Sequence, residues 1–265
     1  MSHTLDSLDD GSSKWRVIDF CSGGGGPTPY IEKHVNRQRR RSGKRTIPFQ
    51  LSDLYPNIDA WMYSAAHSEN LTFIPQPVDA TNPPFAAISY TTPGDKEAAA
   101  EQGFVHDGRK VLRLFCLSFH HFDDEGARRV LKSSLETSDA LVIIELQDRR
   151  VATLLAMAME AVLILTVTIF WYPFDWTRLL FTYIVPVLPA IHCFDGLVSC
   201  LRTRTFEEFT KLLGEVTEKQ YRGDDKVMVL TQRGAGWTFT SHRVMHTSPC
   251  LYLNAIVGKK VTDAG

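Results

Sequence analysis

The chain has 265 residues, of which 44% are hydrophobic and 22% are charged, and its formal net charge is −1. This length suffices for one large α/β domain or two small ones, and the near-neutral charge argues against nucleic acid as a partner. The five cysteines are an odd number and include no CxxC pair, so we expect a reducing compartment and no metal site. Residues 1–13 are polar and lack an apolar signal segment, which predicts a flexible tail on a cytoplasmic protein.

A glycine-rich turn follows the first predicted strand. Trp15 to Phe20 is an apolar, β-prone run with Asp19 near its end, and Gly23 to Gly26 come next. Thr28 and Pro29 suit the cap and the first position of a helix, which we expect to end near Val35. Strand, tight turn and helix in this order predict a nucleotide-like ligand, because glycine lets the backbone approach a ligand closely.

Four further strands alternate with helices along the chain. They are predicted at Ile47–Asp53, Leu71–Asp79, Lys110–Phe119 and Asp139–Leu146. The Leu71–Asp79 strand contains two prolines, which predicts that it lies at an edge of the sheet. The intervening predictions are a solvated basic loop at Arg37–Arg45, a helix that buries Ile58, Trp61, Met62 and Ala65, a weak helix near 96–102, and an amphipathic helix across 127–135.

Polar residues mark the ends of these strands. The alternation predicts a parallel sheet with helices on both faces, in which the carboxyl ends of the strands meet at one edge and bind ligands. Five segments converge there, namely Asp19, Asp53, Asp79, Ser118–His121 and Glu145. The sequence therefore predicts one crevice built from separate parts of the chain.

The segment VIDFCSGGGG resembles the first motif of class I S-adenosylmethionine-dependent methyltransferases. Gly23 and Gly25 take the GxG places, and Cys21 stands where the family often has another glycine. LFCLSFHHFDDEGARRVL is similar to the family's fourth strand and following helix, and DGLVSCLRTRTFEEF to a largely uncharacterised subgroup. The resemblance implies an α/β, Rossmann-like, seven-stranded and mostly parallel sheet with helices on both faces, closed by an antiparallel hairpin at Trp237–His242 and Leu251–Val257.

The resemblance also implies how S-adenosylmethionine would be bound. Asp53 matches the acid that holds the ribose hydroxyls, and Asp79 with Ala80 matches the position that meets the adenine amino group. A dinucleotide fingerprint would require glycine where Thr28 or Pro29 stands, so that alternative does not fit the spacing. The expected cofactor-binding residues are Asp19, Ser22, Gly23, Gly25, Asp53, Leu54, Asp79, Ala80 and Ser118.

Candidate catalytic residues lie beside the expected methyl donor. His120 and His121 are the first choice, since a histidine at this strand end could act as a general base. Glu145 and Gln147 are alternatives. The candidate substrate-binding residues are Tyr30, Trp171, Arg178, Tyr183 and Arg202.

The favoured function is a small-molecule O-methyltransferase that forms the methyl ester of a small organic acid. Two alternatives stay open, a membrane-associated methyltransferase of a lipid or isoprenoid and an N-methyltransferase of nucleic acid or protein. The N-methyltransferase alternative depends on Asn82-Pro83-Pro84-Phe85, which resembles an NPPF signature but follows the third predicted strand instead of the fourth.

An apolar insert at residues 151–194 interrupts the single methyltransferase domain expected over 14–265. It contains two apolar runs, Val151–Trp171 and Leu179–Phe194. They could form a membrane hairpin, or a pair of helices that covers the active site and forms a homodimer interface. We favour the covering pair, because Glu160 lies in the middle of the first run and two prolines interrupt the second.

Overall fold

The structure is a computed structural model that describes residues 14–89, 108–217, 222–223, 227–232, 235–248 and 251–261. The predicted tail at 1–13 and the weak helix near 96–102 lie outside these residues. The described residues fall into two compact units. The first takes its residues from Met1–Ile144, Phe206–His242 and Ala255–Gly265, and the second from Glu145–Thr205 and Arg243–Asn254. The expectation of a single domain over 14–265 stays a prediction.

Nine described strands form a single mixed sheet. They are β1 (Trp15–Phe20), β2 (Phe49–Ser52), β3 (Leu71–Phe73), β4 (Lys110–Cys116), β5 (Ala140–Glu145), β6 (Arg222–Gly223), β7 (Val227–Gln232), β8 (Ala235–Thr247) and β9 (Leu251–Val261). Their order is β3-β2-β1-β4-β5-β9-β8-β7-β6, so β3 lies at an edge, as its prolines predicted.

The strand pairing confirms the α/β, Rossmann-like class. The first five strands pair in parallel, and the chain reverses its strand order at β1, between β2 and β4. The two strands expected to close the sheet are β8 and β9, which occupy the next two places beside β5. Beyond these seven strands, β6 and β7 extend the far edge of the sheet in antiparallel pairing.

Helices and short helical turns connect the strands. They are α1 (Thr28–Arg41), α2 (Ile58–Ala65), α3 (Asp124–Thr137), α4 (Val151–Trp171), α5 (Trp176–Leu179), a π-helical turn (Leu180–Ile184), α6 (Val187–Arg202), α7 (Phe206–Thr217), and two 3₁₀ turns at Phe85–Ala87 and Phe119–His121.

Three local predictions about α1 and α2 were wrong. The first helix does not end near Val35 but continues through Arg41, because straight-chain residues favour helix and the stop comes only at Gly43, whose φ is +66°. Much of the basic run is therefore helical, and Arg39 is buried with its Nε donating to the Arg45 carbonyl at 2.6 Å. Trp61 alone is buried in α2, since Met62 is 57% exposed.

The core of the first unit lies between the sheet and two helices. Alternate residues of β1, Ile18 and Phe20, pack into a buried cluster with side chains of α3 and α7. The opposite face of β1 carries Val17 and Asp19, and there Asp19 bonds Thr28 of α1. Helices therefore lie on both faces, and the glycine turn between β1 and α1 crosses the end of the sheet.

The second unit contains the predicted apolar insert. Its helix α4 packs against α6, and Gly196 makes this approach close, since a Cβ there would lie 3.0 Å from the Met157 sulfur. The α5 and π-helical segment joins α6 at a 68° bend beside Pro186. Within the described residues, α4 is long and apolar enough to cross a membrane, and the bent pair could supply a second span.

Gly258 of β9 offers a test of the sheet packing, because a Cβ there would lie 2.4 Å from the Phe239 ring of β8. We expect Gly258→Ala to lower the unfolding free energy by about 1–3 kcal/mol through overpacking. The urea midpoint measures this change. Phe239→Leu in the same chain removes the ring and should restore part of the loss, whereas an unchanged midpoint in Gly258→Ala would contradict the packing.

Candidate functional site

The glycine turn after β1 is held by hydrogen bonds to both the amide and the carbonyl of Gly23. The Gly23 amide donates to Asp53 Oδ2 at 2.8 Å, and the Trp61 Nε1 donates to the Gly23 carbonyl at 2.8 Å. Gly25 has φ +104°, so a side chain there would be strained. A Cβ added at Gly25 would lie 3.5 Å from the Leu51 side chain. The turn is thus a fixed backbone surface, and at Gly23 a Cβ would meet open space.

Asp19 lies beneath this turn and is almost fully buried. Its Oδ2 accepts a hydrogen bond of 2.7 Å from the Thr28 hydroxyl. Thr28 therefore bonds a strand residue, and the helix cap predicted for it is Pro27 instead. Among the residues described, no hydrogen bond of good geometry reaches Asp19 Oδ1, although the Cys116 backbone lies close enough to favour the ionised form slightly. Burial raises the pKa of Asp19 to about 8, against the opposing effect of the Thr28 bond.

The Cys21 thiol reports how the acidic side chains are arranged. Burial raises its pKa to about 12, and the carboxylates of Asp53, Asp19 and Asp79 add to the rise. Cys21 is therefore a neutral thiol at φ +58°, a conformation that costs a non-glycine residue energy. The three predicted acids thus surround one turn, as expected from their positions at strand ends.

Asp53 and Asp79 are each oriented by local backbone amides. Asp53 Oδ1 accepts from the Tyr55 amide at 2.9 Å, while Asp79 Oδ1 accepts from both the amide and the hydroxyl of Thr81 at 2.8 Å. An open groove of about 550 Å³ lies beside Asp79. It is lined by Leu54, Pro77, Asp79, Asn82, Pro83, Pro84, Phe85 and Ile88, so the NPPF segment borders this acid.

Arg113 of β4 is a positioning residue that the sequence analysis missed. Its buried guanidinium donates to the Ala80 carbonyl at 3.3 Å and to hydroxyls of α3, including Ser133 at 3.2 Å. It also lies 4.7 Å from the centre of the Phe20 ring. Arg113 thus fixes the segment after Asp79 against the core. A lone arginine within an apolar strand, LRLF, is the signal that could have revealed it.

The segment after β4 carries the histidine candidates. Leu117 has φ +57°, and Ser118 is buried with its hydroxyl donating to the Phe20 carbonyl at 3.4 Å. His120 and His121 follow on a 3₁₀ turn with ring centres 4.3 Å apart. His120 is buried and His121 is exposed, so the two rings meet solvent very differently.

The remaining candidates occupy different surroundings. Ser22 is buried and its hydroxyl donates to the Ser52 carbonyl at 3.0 Å, while Tyr30 on α1 is 79% exposed. Trp171, Arg178, Tyr183 and Arg202 belong to the second unit. There the Arg178 guanidinium stacks 3.7 Å from the Tyr172 ring centre, and the Tyr183 hydroxyl donates to the Leu165 carbonyl at 2.7 Å. Glu145 is buried at the end of β5, and its role as a catalytic alternative stays a prediction.

No family model and no curated protein matches this sequence. Among solved structures, a protein provisionally described as a zinc-dependent alcohol dehydrogenase from Rhodobacter sphaeroides is similar with a TM-score of 0.48 and 11% identity, over 99% of this chain and 91% of that chain. The trans-methyltransferase CalH with SAH has a TM-score of 0.48 and 14% identity, over 98% and 55%. A cyclopropane-fatty-acyl-phospholipid synthase-like protein from Lactobacillus casei has 0.46 and 10%, over 97% and 89%. Likenesses this weak carry no argument about function, which has to be inferred from the site.

The buried Asp19 makes stability depend on pH. Since its pKa is raised from 3.8 to about 8, the folded protein keeps a proton that the unfolded chain releases. The unfolding free energy of the ligand-free protein should therefore fall as the pH rises through this window, by about 1–2 kcal/mol between pH 6 and pH 8. Urea denaturation at several pH values measures the slope.

Asp19→Asn removes the titrating group and should flatten that slope. The control is Asp59→Asn, which changes an exposed acid in the first turn of α2 and should leave the slope unchanged. Equal slopes in the wild type and Asp19→Asn would show that Asp19 does not carry the pH dependence.

Proposed function

We propose that the protein is an S-adenosylmethionine-dependent methyltransferase. The observation that carries the proposal is the convergence of three acids on one glycine turn. Asp53 accepts from the Gly23 amide, Asp19 accepts from Thr28 below the turn, and Asp79 lines the groove beside Leu54. S-adenosylmethionine carries a sulfonium and an ammonium group, so its positive charge complements these carboxylates. A pyrophosphate would be repelled by the carboxylates of Asp53 and Asp79, which argues against a dinucleotide.

The residues of the site fit this cofactor in three places. Asp19 has a buried oxygen with room for a further hydrogen bond. This oxygen suits the ammonium group of the cofactor, either directly or through a bridging water. Asp53 accepts one amide bond on each oxygen and keeps lone pairs for ribose hydroxyls. The groove beside Asp79 has apolar walls and one acid edge, which suits an adenine ring with its amino group.

The cofactor supplies an activated methyl group, and the protein's task is to orient and to exclude water. In the proposal, Gly23 and Gly25 keep backbone rather than side chains against the donor. Asp53 holds the turn in this shape through the Gly23 amide. Arg113 holds the Ala80 carbonyl, and so keeps Asp79 at the groove.

For the acceptor, we propose an oxygen of a small organic acid, giving a methyl ester. A carboxylate has a pKa near 4 and needs no base at neutral pH, only donors that hold it. His121 is exposed on the 3₁₀ turn and its ring is tilted by 40° against that of His120, so an imidazole pair could hold a carboxylate there. A phenol or alcohol would instead require one histidine as a general base.

Lipid or isoprenoid acceptors form the second candidate class. The observation that favours them is the exposure of large apolar side chains on the second unit, such as Phe170 at 80% and Phe174 at 86%. Such a surface is suited to a hydrophobic environment.

Replacing Asp53 by asparagine tests the cofactor site. Loss of charge-assisted hydrogen bonds costs about 1.5–3 kcal/mol, so S-adenosylmethionine should bind Asp53→Asn about 10- to 100-fold more weakly. Calorimetry measures the affinity, and thermal shift with NADH measures the dinucleotide alternative. The matched control Asp59→Asn should bind like the wild type. Unchanged affinity in Asp53→Asn, or a large shift with NADH alone, would contradict the proposal.

The acceptor class is tested with methyl-labelled S-adenosylmethionine and panels of organic acids, phenols, lipids and RNA. We expect the label to enter an organic acid and to be released by mild base, as a methyl ester is. His121→Gln should lower turnover at least tenfold if the imidazole holds the acceptor, with cofactor affinity unchanged. Base-stable label in a phenol, lipid or RNA would contradict the ester proposal without affecting the cofactor site.

A further inference from the structure

The outer surface of the insert hairpin, Val151–Arg202, is apolar to an extent that water does not favour. On α4 alone, nine large apolar side chains are exposed, and the most apolar 18-residue window of this helix is only 11% buried. Further exposed apolar residues follow on the second arm, among them Ile184, Ile191 and Phe194. Both arms thus present apolar side chains outward while α4 packs against α6.

Two common explanations for an apolar helix do not apply to α4. The core helix of a soluble domain is mostly buried, and this one is mostly exposed. A secretory signal lies near an N-terminus, whereas α4 begins at Val151, behind five strands of the sheet. We infer that the insert hairpin is embedded in the hydrocarbon of a lipid bilayer, independently of the proposed function.

The length of α4 matches that environment. A helix of 21 residues is about 31 Å long, and the hydrocarbon core of a bilayer is about 30 Å thick. The second arm is a broken helix with a 68° bend between Ile184 and Val187. Its longer part, α6, packs back along α4, with Gly196 in its second half against Met157 in the first half of α4. A hairpin of this kind begins and ends on one face of the membrane.

Several hydroxyl groups along the hairpin are satisfied within it, as hydrocarbon requires. The hydroxyls of Thr166, Thr168 and Thr182 each donate to a carbonyl of the preceding turn at 2.7–2.9 Å. The Tyr183 hydroxyl donates to the Leu165 carbonyl and accepts from the Ile169 amide at 3.1 Å. It thereby bridges a helical hydrogen bond of α4 without leaving either group unpaired.

Charge and aromatic residues lie where the two membrane interfaces would be. At the base, Arg149 and Arg150 precede α4 and Arg202 ends α6, which suits an anionic lipid surface. At the tip, the Asp175 carboxylate pairs with Arg178 at 3.6 Å. Aromatic residues surround that pair, namely Trp171, Tyr172, Phe174 and Trp176, and such residues favour the interfacial region.

Glu160 was the reason to prefer a covering or dimer role from the sequence. It lies nine residues into α4, about 14 Å along the helix, where a charge is unfavourable in lipid. On α6, His192 and Asp195 are exposed, so together with Glu160 three ionisable groups oppose burial in lipid. Nine large apolar side chains are exposed on α4 alone, and their transfer out of water offsets the cost of these groups. A second copy of the chain would cover one face of the hairpin and would leave the apolar side chains on the opposite face exposed to water.

The test uses the full-length protein and its flotation with phosphatidylcholine–phosphatidylglycerol vesicles. Two matched methionines allow a controlled pair, because Met159 on α4 is 60% exposed and Met62 on α2 is 57% exposed. Met159→Glu should reduce the bound fraction at least tenfold in partition coefficient, and Met62→Glu should leave it unchanged. Equal effects of the two variants, or no binding by the wild type, would overturn the inference.

Glu160→Leu keeps the test informative if Met159→Glu fails to fold. Removing a carboxyl group from hydrocarbon should raise the partition coefficient at least tenfold. Brominated lipids should quench the fluorescence of Trp171 and Trp176 in the vesicle-bound variant. A variant that binds only because its hairpin is misfolded would not show both effects. A detergent-free dimer that ignores vesicles and is unaffected by Glu160→Leu would establish the dimer role instead.

Discussion

The buried carboxyl group of Asp19 is the constraint on which the first unit's site depends. Its hydrogen bond to Thr28 joins the end of β1 to the first turn of α1, directly below the glycine turn. Burial makes the ionised form unfavourable, and Asp53 adds to that effect. A fold that gained only stability from this position would place an apolar or amide side chain there. On the proposed function, the positive charge of the cofactor accounts for an acid at this position.

The sequence predicted the parts of this site that follow from strand periodicity. Each acid stands where an apolar run stops, and parallel pairing of β1, β2 and β3 brings such ends to one edge of the sheet. The sequence could not predict the bonds that cross between elements. Trp61 was assigned to a buried face, yet its Nε1 holds the Gly23 carbonyl, and Arg113 reaches the Ala80 carbonyl 33 residues away.

The wrong local predictions share a physical reason, which is that local preference was read without its tertiary partner. Thr28 is a good capping residue, but its hydroxyl donates to the buried Asp19 carboxyl group instead of accepting from a helix amide. The arginines after Val35 look like a solvated loop by charge alone. In the folded chain, Arg39 is buried and its guanidinium caps the Arg45 carbonyl, which stabilises the extra turn of α1.

The apolar insert shows the opposite case, in which composition was informative and context decided its meaning. Hydropathy marks Val151–Trp171 equally well for a core helix, a dimer interface or a membrane span. The exposure of α4 distinguishes it from a core helix. The internally bonded hydroxyls of Thr166 and Tyr183 then favour an apolar surface suited to hydrocarbon over one that is merely uncovered. Neither the exposure of α4 nor these hydrogen bonds follow from the hydropathy of the sequence.

The electrostatics of the turn also constrain how an acidic acceptor could reach it. In the empty site Asp19 keeps its proton at neutral pH, because burial raises its pKa to about 8. The carboxylates of Asp53 and Asp79 still repel an organic acid, which would approach unfavourably before the cofactor is bound. S-adenosylmethionine adds two cationic groups and one carboxylate, which changes the sign of the local balance. On the proposed function, the cofactor therefore binds first, and after transfer the loss of the sulfonium charge restores repulsion between the turn and any remaining acid. The acidic side chains would then favour binding of the cationic methyl donor. The methyl ester is neutral, so it would leave the site without an electrostatic cost.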